Sequence, residues 1–266
     1  MSKSLSWYLR RHPILYKIRF KLASKNASLE SINSFCYNDI NKKDNISKLF
    51  YEINDLIFSD KTKELNEFEK AKTISIWIKE NIKGGPGLGK SSTTALTKMM
   101  KGEGGVCSDI SQIFSNFCVI NDIKVKEWGV KSLSSNPRVA GGHSFNEIYC
   151  HTFQKWLMID PAKSILLFNS DNNIPLSTLE YIQFKAENKE IILASIATNE
   201  EVQDKNIHQI YLLSNSSPFV ITNYDNKTFD YFLDKLNFFP VSIIHLILFL
   251  IGKGYKFKFP NSLESI

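Results

Sequence analysis

An α+β fold is predicted, with helices gathered in the first half of the chain and strands following. Three observations carry this. Apolar residues recur at helical spacing between residues 44 and 120. From about Ile123 the pattern changes to short alternating runs, "IKVKEWGVKS", "HSFNEIYCH" and "KWLMID", which suit strands. The two patterns do not interleave, so the strand–helix alternation of a parallel sheet is missing.

The elements follow in order. Residues 44 to 58 place Leu49, Phe50, Ile53, Leu56 and Ile57 on one helical face, with Asp44 available as a cap. Phe68, Ala71, Ile74, Ile78 and Ile82 mark a second helix. A short helical pattern from Thr93 to Met100 ends at the "GEGG" break. Ile110, Ile113, Phe114 and Phe117 then define a helix that starts near Cys107 and takes Cys118 into its apolar face. Beyond Ser170 a helical "PLSTLEYIQF" is mixed with apolar runs at Ile191 to Ile196 and Ile207 to Leu213. The implied organisation is a basic helical region over 1–65, a core over 66–170, and a C-terminal extension over 171–266 that contains the apolar segment 238–252.

With 266 residues, 43% hydrophobic and 23% charged, the chain can bury a substantial core. Its 33 Lys and Arg against 27 Asp and Glu leave a charge of +6, too small and too dispersed to argue for nucleic acid. Four cysteines (Cys36, Cys107, Cys118 and Cys150) form neither a C-x-x-C pair nor a zinc-ligand pattern. No secretory signal is evident at the N-terminus, so a cytoplasmic, reducing compartment is the default expectation.

Both ends carry basic residues beside apolar ones. Residues 1–25 hold Lys3, Arg10, Arg11, Lys17, Arg19, Lys21 and Lys25 without an acidic residue. "FFPVSIIHLILFLIG", Phe238 to Gly252, is followed by Lys253, Lys256 and Lys258. The run is shorter than the ~20 residues of a spanning helix, and its length favours a buried core helix. The rival expectation is peripheral contact with the inner membrane face through residues 1–25 and 238–258.

"GGPGLGKSS", Gly84 to Ser92, fits the phosphate-loop template at Gly84, Gly89, Lys90 and Ser91, and "WLMID" ends in an aspartate of the kind that holds magnesium. A phosphate loop needs a buried strand leading into its first glycine. Here Lys79, Glu80 and Lys83 precede it on what reads as a helix, so the segment is expected to be a connection between helices.

A different set of residues offers better chemistry. Cys107 follows Gly104 and Gly105 at the start of a helix, where the helix N-terminus favours the thiolate. His143 opens one strand and Asp160 closes the next. If those strands form a hairpin turning at His151–Thr152, paired residue numbers sum to 303 and His143 faces Asp160 directly. The imidazole would then be oriented by the carboxylate, as in a nucleophile–base–orienter relay.

Taken in order, "GGVCSD", "GGHSFNEIY" and "WLMIDP" resemble the transglutaminase-like superfamily of papain-type cysteine enzymes, over about residues 66 to 165. Gly105, Cys107 and Asp109 match its Gly-x-Cys-x-Asp segment, His143, Phe145 and Glu147 its His strand, and Asp160 and Pro161 its Asp-Pro. Phe145 stands where Trp is frequent. The resemblance implies a papain-like core, with a central Cys-bearing helix packed on an antiparallel sheet carrying His and Asp. It also implies Cys107 as nucleophile, His143 as general base and acid, and Asp160 as orienter, in an amide hydrolase or acyltransferase acting on a protein, peptide or small amide. The Cys107 backbone N–H is the expected first oxyanion donor, and no second is assigned. No metal or organic cofactor is called for. The rival readings are a non-catalytic binding or assembly module on the same fold, and a nucleotide binder at Gly84–Ser91.

Overall fold

The computed structural model describes residues 13–59, 64–132, 142–170, 173–213 and 216–260. The chain begins with α1 (Pro13–Ala23), β1 (Ser24–Ala27), α2 (Leu29–Ser34) and α3 (Tyr37–Ile40), then a 3-10 turn at Lys43–Asn45. Next come α4 (Lys48–Phe58), α5 (Glu67–Asn81), α6 (Ser92–Met100) and α7 (Cys107–Ile120). Strands β2 (Val125–Ser132), β3 (Gly142–Cys150), β4 (Lys155–Asp160) and β5 (Ile165–Asn169) follow. The rest comprises α8 (Thr178–Ala186), β6 (Ile191–Ser195), α9 (Lys205–His208) running into a π-helical turn at Gln209–Leu213, β7 (Ser216–Thr222), α10 (Asn226–Lys235), α11 (Val241–Leu250) and β8 (Lys256–Pro260).

The fold is α+β. Among the described residues, eight strands form one sheet in the order β1-β8-β7-β2-β3-β4-β5-β6, antiparallel except for the parallel β1–β8 pair. Strands from the two ends of the chain thus lie side by side at one edge. Alternation along β3 sends Ile148 and Cys150 into a core shared with α4, α5, α6 and α7, and Phe145 into a second core shared with Tyr181, Ile182, Ile207 and Tyr211. Residues 176–212 of the C-terminal extension therefore cover the sheet's second face, while α10 and α11 return to the first core.

The helices rest on the residues that predict them. Asn66 caps α5 through its side chain, which accepts from the Glu69 N–H at 2.9 Å, and Ala71, Ile74 and Ile78 are buried along one stripe. In α7, Ile110, Ile113, Phe114, Phe117 and Cys118 are all buried. Two details differ. Asp44 lies in the 3-10 turn, and α4 begins after Ser47. The buried stripe of α4 is Phe50, Ile53 and Ile57, while Leu56 is 69% exposed, because it lies one residue, ~100° of helix rotation, off that stripe.

The apolar segment near the C-terminus forms α11, but the expected core helix is realised on one edge only. Ile244 and Leu248 are buried, whereas Ile243, Leu250 and the following Ile251 are exposed. No helix among the described residues is long and apolar enough to cross a membrane. Of the N-terminal basic stretch, Lys3, Arg10 and Arg11 lie outside the described residues.

Candidate active site

Cys107 occupies the first position of α7. The turn into the helix depends on Gly105, whose φ is +115° and where an added Cβ would lie 2.6 Å from Met99 Cε. Asp109, in the first turn, accepts hydrogen bonds from the Val106 N–H at 2.9 Å and the Leu88 N–H at 3.2 Å. It thereby caps the helix and ties the Gly-rich segment to it. The Gly85 N–H donates to the Gly105 carbonyl at 2.8 Å, and the Gly105 N–H to the Pro86 carbonyl at 2.9 Å. "GGPGL" is thus a wall beside the thiol.

That arrangement excludes a phosphate loop. The segment is preceded by α5 rather than a strand. The N-terminus of α6 is already occupied by the Asp230 carboxylate, which accepts from the Ser92 N–H at 2.7 Å and from its hydroxyl. Ser91 is buried and bonded to Thr94. Among the described residues no cluster of three His, Cys, Asp or Glu side chains could hold a metal ion.

His143 is 8% exposed, and its Nε2 lies 2.6 Å from Asp160 Oδ2. The predicted pairing is off by two residues. Observed partners on β3 and β4 are Asn146–Ile159, Glu147–Met158 and Tyr149–Trp156, so the numbers sum to 305. The cause is a four-residue turn, His151 to Gln154, in which Gln154 adopts φ +51°. A shift of two residues preserves the face, so His143 reaches Asp160 diagonally rather than from directly across.

The sheet and the helix are locked together by Asn146, whose side-chain N–H groups donate to the Ser115 hydroxyl at 2.9 Å and the Ser111 carbonyl at 3.2 Å. The Cys107 thiol sits close enough to the His143 side chain and the Ser144 backbone for both to act on its ionisation. Burial alone would raise the thiol pKa, but the His143 hydrogen bond and charge, with the Ser144 bond, outweigh it and hold the thiol below its ordinary value. Burial alone would lower the His143 pKa. The charge and hydrogen bond of Asp160, then those of Cys107, raise it instead to about 10. A thiolate beside an imidazolium is the species this favours.

Asp160 is fully buried and has four partners. Oδ2 faces His143 and accepts from Tyr211 Oη at 2.7 Å, and Oδ1 accepts from the Ala162 and Lys163 N–H groups at 2.9 and 3.0 Å. Burial pushes its pKa up, but these partners, His143 first, bring it below the usual carboxylate value. Tyr211 also meets the His143 ring edge-on, with centroids 5.9 Å apart. Its backbone carbonyl is held by Tyr181 Oη at 2.8 Å. Nothing in the run "IYLL" marks this tyrosine, because its partner is 51 positions earlier. Glu147, part of the same motif as His143, does not enter the site. It accepts from Trp128 Nε1 at 3.1 Å and the Thr178 N–H at 2.8 Å, and pairs with buried Lys126 at 3.6 Å.

Cys107, His143 and Asp160 are therefore brought together, whereas Cys36, Cys118 and Cys150 are buried elsewhere. Residues 57–161 match the profile of the Transglutaminase-like superfamily. No curated protein matches the chain. A solved structure from Cytophaga hutchinsonii, described as a "putative cysteine protease", is 20% identical, with a TM-score of 0.33, and the match covers 43% of this chain and 38% of that one. That likeness is too partial to carry weight, and the chain spans well under half of that relative. The family profile runs from the last turn of α4 to the Asp-Pro that closes β4, and this segment has a transglutaminase-like core.

Proposed function

We propose that the protein is a cysteine enzyme that cleaves or transfers an acyl group at an amide bond, with Cys107 as nucleophile, His143 as general base and acid, and Asp160 as its orienter. The observation that supports this most is the 2.6 Å contact between His143 Nε2 and Asp160 Oδ2, beside a Cys107 thiol that the same imidazole makes more acidic.

The thiolate attacks the carbonyl carbon of an amide, forming a C–S bond and a tetrahedral oxyanion. The Cys107 backbone N–H, at the start of α7, is the donor assigned to that oxyanion. Collapse breaks the C–N bond as the imidazolium gives its proton to the leaving amine. Water or a second amine then attacks the thioester, His143 accepts its proton, and the C–S bond breaks. Asp160 stays ionised throughout, held by Tyr211 and two backbone N–H groups. A protein, peptide or small amide meets these requirements.

The test uses an activated acyl donor, p-nitrophenyl butyrate. Mass spectrometry is expected to find a butyryl thioester on Cys107 that hydroxylamine discharges, and an added primary amine should divert it to the amide. Absence of acylation at Cys107, or equal acylation in His143→Ala, would overturn the proposal.

A further inference from the structure

Residues 13–27 and 236–260, the described parts of the two basic, apolar ends, meet in space. Helix α1 packs against α11, and β1 pairs with β8 at the sheet edge. Segments 13–27 and 236–260 contain Lys17, Arg19, Lys21, Lys25, Lys253, Lys256 and Lys258 and no acidic residue. Lys17, Lys21, Lys25, Lys253 and Lys256 are exposed. Lys131, at the end of β2, lies over the Phe20 ring at 3.9 Å and close enough to Lys17 to feel its charge.

The same unit exposes large apolar side chains. On α1, Ile18 and Leu22 are 51% and 58% exposed at i, i+4 spacing, beside Lys17 and Lys21 at the same spacing. Before α11, the tilted ring pair Phe238 and Phe239 stands out, the former 72% exposed. At its other end Leu250 and Ile251 are 73% and 53% exposed. A helix apolar on all sides is normally buried, yet only Ile244 and Leu248 of α11 are.

We infer that α1 and α11 dock the protein peripherally on an anionic phospholipid surface. At ten residues α11 is ~15 Å long and lies in the interface rather than crossing it. The exposed lysines match lipid phosphates in charge. A second copy of the chain fits poorly, because a two-fold contact would set this acid-free surface against itself. A specific protein partner is favoured less, because α11 offers almost no polar side chain to fix its register, whereas insertion among acyl chains requires none.

The docking surface also adjoins the cleft. A Cβ at Gly89 would lie 2.9 Å from Val241 Cγ2, so the first residue of α11 presses on the loop bonded to Gly105 and Asp109 on either side of Cys107. The inference itself is independent of the catalytic reading, and binding should be unchanged in Cys107→Ala.

The test is co-sedimentation of the full chain with vesicles of equal parts phosphatidylcholine and phosphatidylglycerol, against pure phosphatidylcholine. Binding is expected only to the mixed vesicles and should weaken as salt rises. The triple variant Lys17→Gln, Lys21→Gln, Lys253→Gln should lose about fivefold per lysine. Phe238→Ser with Leu250→Ser, both exposed, should also release the protein, whereas the exposed pair Lys48→Gln, Lys205→Gln, on α4 and α9, should not. Failure to sediment, or sedimentation that both patch variants leave intact, overturns the inference. A dimer seen by light scattering that the Phe238 and Leu250 changes dissolve, without vesicle binding, assigns the face to a second copy and overturns it too.

Discussion

Replacing His143 by Ala removes the main influence that keeps the Cys107 thiol acidic. Two opposite charges ~4 Å apart at the effective dielectric of a protein site interact by about 4 kcal/mol, which corresponds to about three pKa units. What remains around the thiol in His143→Ala is burial and the Asp160 charge, which both raise its pKa, against the Ser144 hydrogen bond and the N-terminus of α7. The thiol should therefore move from below its ordinary value to above it. Because alkylation follows the thiolate fraction, the rate at neutral pH should fall by two to three orders of magnitude, about one per pKa unit. The assay is the pH dependence of iodoacetamide labelling, read by mass spectrometry at each cysteine, with buried Cys36, Cys118 and Cys150 as internal references. Wild-type Cys107 should label below pH 7. Equal Cys107 rates in both proteins, once circular dichroism shows both folded, would refute the argument that His143 activates the thiol.

Other outcomes follow from the same geometry. The thiolate–imidazolium pair exists above the Cys107 pKa and below that of His143, so the alkaline limb of a rate profile should fall near pH 10 and move down in Asp160→Asn. His143 is raised in the folded state, so its stabilisation is full below the ordinary imidazole pKa of ~6.5 and fades as pH climbs toward 10. Tyr211→Phe leaves the Asp160 carboxylate one donor short and should cost about 1.5–3 kcal/mol in denaturant unfolding. Unchanged stability would mean that the hydroxyl does not hold Asp160. Glu127 is buried and raised to about 8, by burial first and then by the charges of Cys107 and Asp109. The folded state binds that proton more tightly, so wild-type stability falls between pH 4.5 and 8. Glu127→Gln should gain over it by on the order of 3 kcal/mol at pH 7, measured by urea unfolding across that range. Asp230→Ala should lose about 1 kcal/mol through the uncapped α6, while Lys90→Ala should be nearly silent, and calorimetric titration with ATP should show no binding to either.

Much of this molecule was legible in the sequence because its signals are local. Helical stripes such as Ala71–Ile74–Ile78 are read along one element, and Cys107 reads as a helix start because two glycines precede it. The alternation of His143, Phe145 and Glu147 fixed their common face, and Asp160 shares it because the turn is longer than predicted by an even number of residues. The register itself was not legible. It depends on the backbone Gln154 adopts in the turn, which no spacing rule specifies.

What only the tertiary structure decided is long-range pairing. The Tyr211–Asp160 bond, the Asp230 cap on α6, and the Asn146 link between β3 and α7 join positions whose sequence separation carries no periodic signal. The Gly-rich loop shows the difference most plainly. Its residues match a phosphate-binding template, but function follows from what surrounds a loop. Here Asp109, Gly105 and Val241 make it a wall of the thiol site. The burial of α11 was undecidable for the same reason. Apolar composition predicts a helix, whereas exposure depends on how many neighbours the fold supplies, and this fold covers one edge.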